Sequence, residues 1–182
     1  MTTFAKSVRG FLAHNDTRLM KRLHRWRPPR WLRFWTVLIT RLGDGWLWYA
    51  LGLIILFFGG EKRFLAVGAG LSASLAGVLV FKQLKVLSKR PRPYQVEPHC
   101  WAMITPQDRF SFPSGHSMTA FSIFVSVGHF YPELQLLLLA LAVSVATSRI
   151  ILGMHYLTDV VAGTAIGLGL GLASLCLFTW IP

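Results

Sequence analysis

Apolar positions in this chain come in dense runs that neither alternate nor keep to one helical face. Five runs stand out: Gly45–Phe58, Phe64–Leu84, Ser114–Phe130, Leu134–Ile151 and Tyr156–Phe178. Runs of this length and density predict helices that are apolar all round, as membrane spans are. The first is short for a bilayer and is expected either to extend to Gly60 or to thin the membrane locally. Tyr131-Pro132-Glu133 carries the turn signal that separates the third run from the fourth. Small residues punctuate the second run (Gly68, Gly70, Ser72, Ser74, Gly77) and the fifth (Gly163-x3-Gly167, Gly169, Gly171), where they suit close helix contacts. Residues 31–42 (WLRFWTVLITRL) have the pattern of a short amphipathic helix that cannot span.

The expected fold class is therefore all-α: a polytopic membrane helix bundle of about five transmembrane helices, preceded by an N-terminal interfacial amphipathic helix. The pattern divides the chain into a basic interfacial segment, 1–43, and a transmembrane domain, 44–182.

Composition agrees with this picture. The chain has 182 residues, 53% of them hydrophobic and only 14% charged, too apolar for an ordinary soluble domain. The net charge of +12 is unevenly placed: ten of the 19 Lys and Arg lie within residues 1–41, where Asp16 is the single acid. Trp26, Trp31 and Trp35 stand among those arginines, which points to anionic lipid headgroups as the partner and not to nucleic acid. No basic stretch leading directly into an apolar one opens the chain, so no cleavable signal peptide is expected. Of the two cysteines, Cys100 falls in a loop and Cys176 in an apolar run, so no disulfide is expected. No oligomeric state can be read from the pattern.

The chemistry is concentrated in three clusters: Lys85-x6-Arg92-Pro93, Pro113-Ser114-Gly115-His116, and Ser148-Arg149-x5-His155-x3-Asp159. By span parity all three reach the same membrane face. Lys85 and Arg92 flank KVLSKRPRP, whose prolines stop the helix and hold the segment extended; basic residues also commonly mark a span's end. Pro113–His116 reads as a helix start, with Pro113 near the first helical position. Its free N–H groups suit an anion, with His116 beside it. His155 and Asp159 are four apart and share one helix face. A carboxylate on one ring nitrogen would leave the other free to attack; the pair could also simply join two helices. Arg149, across a tight turn, is placed to clamp phosphate oxygens. His14, His24 and His129 have no partner pattern, His99, Cys100 and Trp101 read as ordinary loop, and Asp44 reads as the N-cap of the first run.

In order and internal spacing the three clusters resemble the signature of the type 2 phosphatidic acid phosphatase family, which is related to bacterial acid phosphatases and vanadium-dependent haloperoxidases. The resemblance covers roughly residues 44–178. The usual first span is replaced by the basic interfacial helix, as in shorter bacterial members such as undecaprenyl pyrophosphate phosphatases. It implies that His155 attacks phosphorus and Asp159 orients it. His116 would protonate the leaving oxygen and then activate water. Lys85, Arg92 and Arg149 would stabilise the phosphoryl oxygens, and Ser114 and Gly115 would add donors.

It further implies a lipid phosphate or pyrophosphate substrate, no cofactor and no metal. Phosphoryl transfer needs mainly positioning and charge stabilisation, which three cations can supply. A phosphotransferase using the same histidine, or a non-catalytic lipid-phosphate carrier, are the alternatives. The chain is expected in a bacterial cytoplasmic membrane. The positive-inside rule assigns the site to the cytoplasmic face, whereas the resemblance implies the outer face, which is the expectation taken.

Overall fold

The computed structural model describes residues 14–23, 25–26, 29–96 and 108–179. His24, His99, Cys100, Trp101 and the first 13 residues, on which the signal-peptide reading rests, lie outside them. Helical residues 14–23 form α1. They are followed by α2 (Arg30–Gly43), α3 (Trp46–Phe58), α4 (Arg63–Ser88), the short α5 (Pro93–Val96), α6 (Gly115–Phe130), α7 (Gln135–Ile151) and α8 (Leu157–Thr179). Each of the five apolar runs is a helix, displaced from the expected bounds by a few residues at most. The chain is an all-α integral membrane protein. Among the described residues, three stretches, containing α4, α7 and α8, are long and apolar enough to cross a membrane; α2 and α3 reach that length only when taken together, across a 59° bend.

At 16 residues α6 is short for a span, and it packs against α4, α7 and α8. The α6–α8 contact is backbone on backbone. A Cβ on Gly163 would lie 2.4 Å from the Ser114 carbonyl oxygen, and one on Gly167 2.3 Å from that of Met118. The glycine spacing read from the sequence as a packing device serves that purpose here. Ser72 and Ser174 hydroxyls, 2.6 Å apart, tie α4 to α8. Outward-facing Phe57, Phe58, Leu79, Leu136 and Leu177 are exposed, as befits a surface solvated by lipid.

The helix α2 is amphipathic as expected, with Trp31, Phe34 and Trp35 exposed. Its opposite face buries Thr36, Ile39, Thr40 and Gly43. Thr40 and Ser148 hydroxyls meet at 2.6 Å, joining α2 to α7 next to Arg149.

Two helix starts differ from expectation. Gly45, at φ +136°, occupies the N-cap of α3, while Asp44 closes α2; the Asp44 carboxylate is drawn instead to an imidazole inside the bundle. Ser114, not Pro113, borders α6, its hydroxyl accepting from the Ser117 N–H, so Pro113 stands one position outside the helix.

Candidate active site

Four helix ends meet at one end of the bundle. The last turn of α4 carries Lys85. Lys89, at φ 48°, ends that helix, and the Pro91-Arg92-Pro93 segment then lies across the α7–α8 turn. Tyr94 N–H donates to the Gly153 carbonyl at 3.2 Å, and Arg92 Nη1 to that of Met154 at 2.8 Å. The turn itself needs Gly153, whose φ of +66° side chains disfavour. It closes with the N–H groups of Met154 and His155 both 3.1 Å from the Arg149 carbonyl. This folding brings Arg149, at the end of α7, beside His155, ahead of α8.

His155 is almost fully buried. Its Nε2 lies 3.3 Å from Arg92 Nη1. A guanidinium only donates, so Nε2 holds the lone pair and Nδ1 the proton. Burial, together with the charges of Arg92, Arg149 and Lys85, holds the imidazole well below its usual pKa, so it is neutral at neutral pH. Nδ1 lies 3.8 Å from Asp159 Oδ2, beyond hydrogen-bond length, and has no partner among the described residues. The Asp159 oxygens are engaged elsewhere. Oδ2 accepts from the Tyr156 N–H at 2.8 Å, the reach-back of a carboxylate three places into a helix. Oδ1 accepts from Arg90 at 2.7 Å.

Lys85, Arg92 and Arg149 are all buried, and the charges of all three act on this ring. Arg149 Nε and Nη1 have no protein partner among the described residues. Lys85 and Arg92 are bridged by Asp108, whose Oδ2 lies 2.5 Å from Lys85 Nζ and Oδ1 2.7 Å from Arg92 Nη2. Burial alone would raise the Asp108 carboxyl; the Lys85 hydrogen bond and the Arg92 charge outweigh it and hold it below the usual carboxylate range. His116, in the first turn of α6, donates from Nε2 to Asp44 Oδ1 at 2.7 Å.

Ser114 and Gly115 lie at the same helix start. The Ser114 hydroxyl, fully buried, also accepts from that of Ser117 at 2.9 Å, and its N–H donates to the Asp159 carbonyl at 3.0 Å. Among the described residues, no three His, Cys, Asp or Glu side chains converge as a metal site would require.

All eight residues singled out in the sequence therefore gather at one end of the bundle. Four others were not singled out: Asp16, Asp44, Arg90 and Asp108. Asp44 gave a signal, since a charge between two apolar stretches needs a partner.

From Asp44, Gly115, His116 and Phe81 a cavity of about 400 Å³ runs between α3, α4 and α6 to Ile55, Val67 and Val127. Its walls are chiefly apolar. Eleven residues of α6 separate His116 from Val127, a depth of about 16 Å at 1.5 Å per residue.

A helical membrane bundle that gathers a buried histidine and three buried cations at one end has the parts of a phosphoryl-transfer protein. The chain belongs to the PAP2 superfamily, whose family model matches residues 63–181. It is similar to the lipid A 1-phosphatase of Rhizobium etli, with 29% identity over 150 residues, covering 71% of this chain and 64% of that protein. Among solved structures it is similar to a transmembrane PAP2-type phosphatidylglycerolphosphate phosphatase from Bacillus subtilis, at 27% identity and TM-score 0.73, covering 100% of this chain and 89% of that one. It is likewise similar to Aquifex aeolicus LpxE, at 26% identity and TM-score 0.75, covering 87% of this chain and 93% of that one. The chain spans under two thirds of the length of the first curated relatives it matches.

Proposed function

We propose that this protein is a lipid phosphatase that hydrolyses phosphomonoester or pyrophosphate headgroups through a phosphohistidine on His155. The observation that carries this is a neutral, buried His155 within reach of the Arg149 charge, where Arg149 Nε and Nη1 have no protein partner among the described residues. A buried guanidinium in that state favours a phosphate far more than an apolar ligand. The apolar cavity opening at His116 supports a lipid substrate: at about 16 Å it is roughly half the 30 Å hydrocarbon core deep, or one leaflet.

In this mechanism Lys85, Arg92 and Arg149 neutralise the phosphoryl oxygens, and the free N–H groups at the start of α6, with Ser114 and Gly115, add donors. His155 Nε2 attacks phosphorus as the bond to the leaving oxygen breaks. Asp159 stabilises the charge that develops toward Nδ1–H. His116 gives its proton to the leaving oxygen. With Nε2–H held by Asp44, the proton given is that on Nδ1 of the imidazolium, the form that the Asp44 carboxylate favours. His116 then accepts a proton from the water that attacks the phosphohistidine, releasing inorganic phosphate and restoring both rings.

Phosphatidic acid, phosphatidylglycerol phosphate and undecaprenyl pyrophosphate are the substrates to test first. The relatives' names include a lipid A phosphatase and a phosphatidylglycerolphosphate phosphatase, which supports a phosphorylated lipid. The basic charge of segment 1–43 supports contact with anionic headgroups on the side of the site, which we assign to the outer face of a bacterial cytoplasmic membrane. Labelling of Cys100 in intact cells, in a Cys176→Ser background, tests that side; reaction only after permeabilisation reverses it.

The deciding experiment is phosphate release by purified protein in detergent with EDTA, from a panel of lipid phosphates and pyrophosphates, beside His155→Ala. Release that resists EDTA and disappears in the variant is expected. Equal release by the variant sinks the mechanism. Phosphate appearing on an added acceptor lipid identifies a transferase, and binding without turnover a carrier.

A further inference from the structure

Arg90 lies outside the cation set just described, yet it is the hub of a second buried network. Its Nη1 donates to Asp159 Oδ1 at 2.7 Å and to the Thr158 hydroxyl at 2.8 Å. Its Nη2 donates to Asp16 Oδ2 at 2.6 Å, and its guanidinium stacks 4.0 Å above the Tyr156 ring. Asp16 comes from α1 and is only 4% exposed. It also accepts from both the hydroxyl and the N–H of Thr158. The single acid of the basic N-terminal segment is thus buried against the first turn of α8. There it satisfies a free N–H from outside the helix and meets the positive end of the helix dipole.

This geometry bears on His155. Asp159 makes no hydrogen bond to that ring; its orientation comes from Arg90 and from the Tyr156 N–H. Arg90 in turn is fixed by Asp16, by Thr158 and by the face of Tyr156. Whatever moves Arg90 moves the carboxylate that faces Nδ1.

We propose that Asp16 is a positioning residue for the phosphoryl-transfer centre: through Arg90 and the first turn of α8 it fixes the carboxylate of Asp159, and with it the ring of His155. The inference rests on His155 being the nucleophile. It assigns to α1, which precedes the residues matched by the family model, a part in the site.

The test uses full-length protein in detergent, comparing native chain, Asp16→Asn, Arg90→Gln and the double variant, with His155→Ala as blank. Asp16→Asn keeps the side chain's shape and removes its charge. Its kcat per folded molecule should fall about tenfold to a hundredfold, the scale of a slightly misplaced group, while KM stays within about twofold, as for an interaction made in the transition state. The double variant should be no worse than Arg90→Gln alone, as members of one network behave. Nitrogen-15 spectra of the histidines should show the His155 resonances shifted in Asp16→Asn. A variant that loses thermal stability but keeps native kcat per folded molecule and native His155 resonances overturns the proposal. If the native chain releases no phosphate from any lipid, the functional reading fails, and the His155 resonances alone decide: shifted supports Asp16 as a positioning residue, unchanged overturns it.

Discussion

Asp108 holds the Lys85 ammonium at 2.5 Å while its other oxygen lies 2.7 Å from Arg92. A carboxylate therefore occupies two of the three cations that a phosphate would need. Its side chain is 40% exposed, so it can leave toward solvent when a phosphate arrives. On the proposed mechanism Asp108 and substrate would compete for the same donors.

Asp108→Asn removes that competitor. Inorganic phosphate should then inhibit more tightly and the KM for lipid phosphate should fall, both several-fold. Steady-state inhibition by phosphate measures this; unchanged inhibition would show that the carboxylate moves aside freely.

Arg149 pulls stability and function in opposite directions. A buried guanidinium whose nitrogens lack partners among the described residues costs stability, and an apolar side chain of similar size removes that cost. Arg149→Leu should raise the apparent Tm by a few degrees and reduce phosphate release to background. Arg149→Lys keeps the charge but loses the fork and should cost about a hundredfold in kcat/KM, of the order of removing a transition-state donor. Thermal melts in detergent and initial rates decide both.

His155 is held well below its ordinary pKa of 6.5 by burial and by Arg92, Arg149 and Lys85. The nucleophile should thus stay neutral as pH falls through 6.5, and the acid limb of kcat/KM should lie below that value. Between 6.5 and the lower native value the unfolded chain binds a proton that the folded chain does not, so stability falls as pH drops across that window. A nitrogen-15 titration of His155 should give a midpoint below 6.5 that rises in Arg92→Gln.

Gly167 and Gly169 are two residues apart on α8 and should respond differently to an added methyl. A Cβ at 167 meets the Met118 carbonyl at 2.3 Å, whereas one at 169 meets nothing within 4 Å. Gly167→Ala should destabilise by about 1–3 kcal/mol, the range for overpacking, and Gly169→Ala should leave the melt unchanged.

Gly52 lines the cavity, and a Cβ there has open space around it. Gly52→Phe should therefore fill the groove without disturbing α3. The expected result is a higher KM for long-chain lipid phosphates and little change for a short-chain analogue. An equal effect on both would mean that the chain lies elsewhere.

The helices were legible because lipid-facing spans leave long apolar runs, and the motif residues because their spacing survives in one dimension. What escaped were the acids that complete the site. Asp44 contacts a residue 72 positions away, and Asp16 one 74 away. Local rules see only neighbours, so Asp44 passed for a cap and Asp16 for the single acid of an interfacial segment. Arg90 was hidden differently, among three other basic residues in KRPRP and its surroundings, where nothing in the spacing separates a clamp on Asp159 from a ligand for phosphate. The one clue to Asp16 was its isolation: a lone acid kept within ten basic residues.

Every charged group of the site stands at a single end of the bundle, and the cavity beneath it reaches only about one leaflet deep. An enzyme built this way is sided. On the proposed function it would meet lipids of one leaflet, free phosphate into the water on that side, and leave the trimmed lipid where it was found. Lipid of the far leaflet would have to be brought across before such a site could reach it.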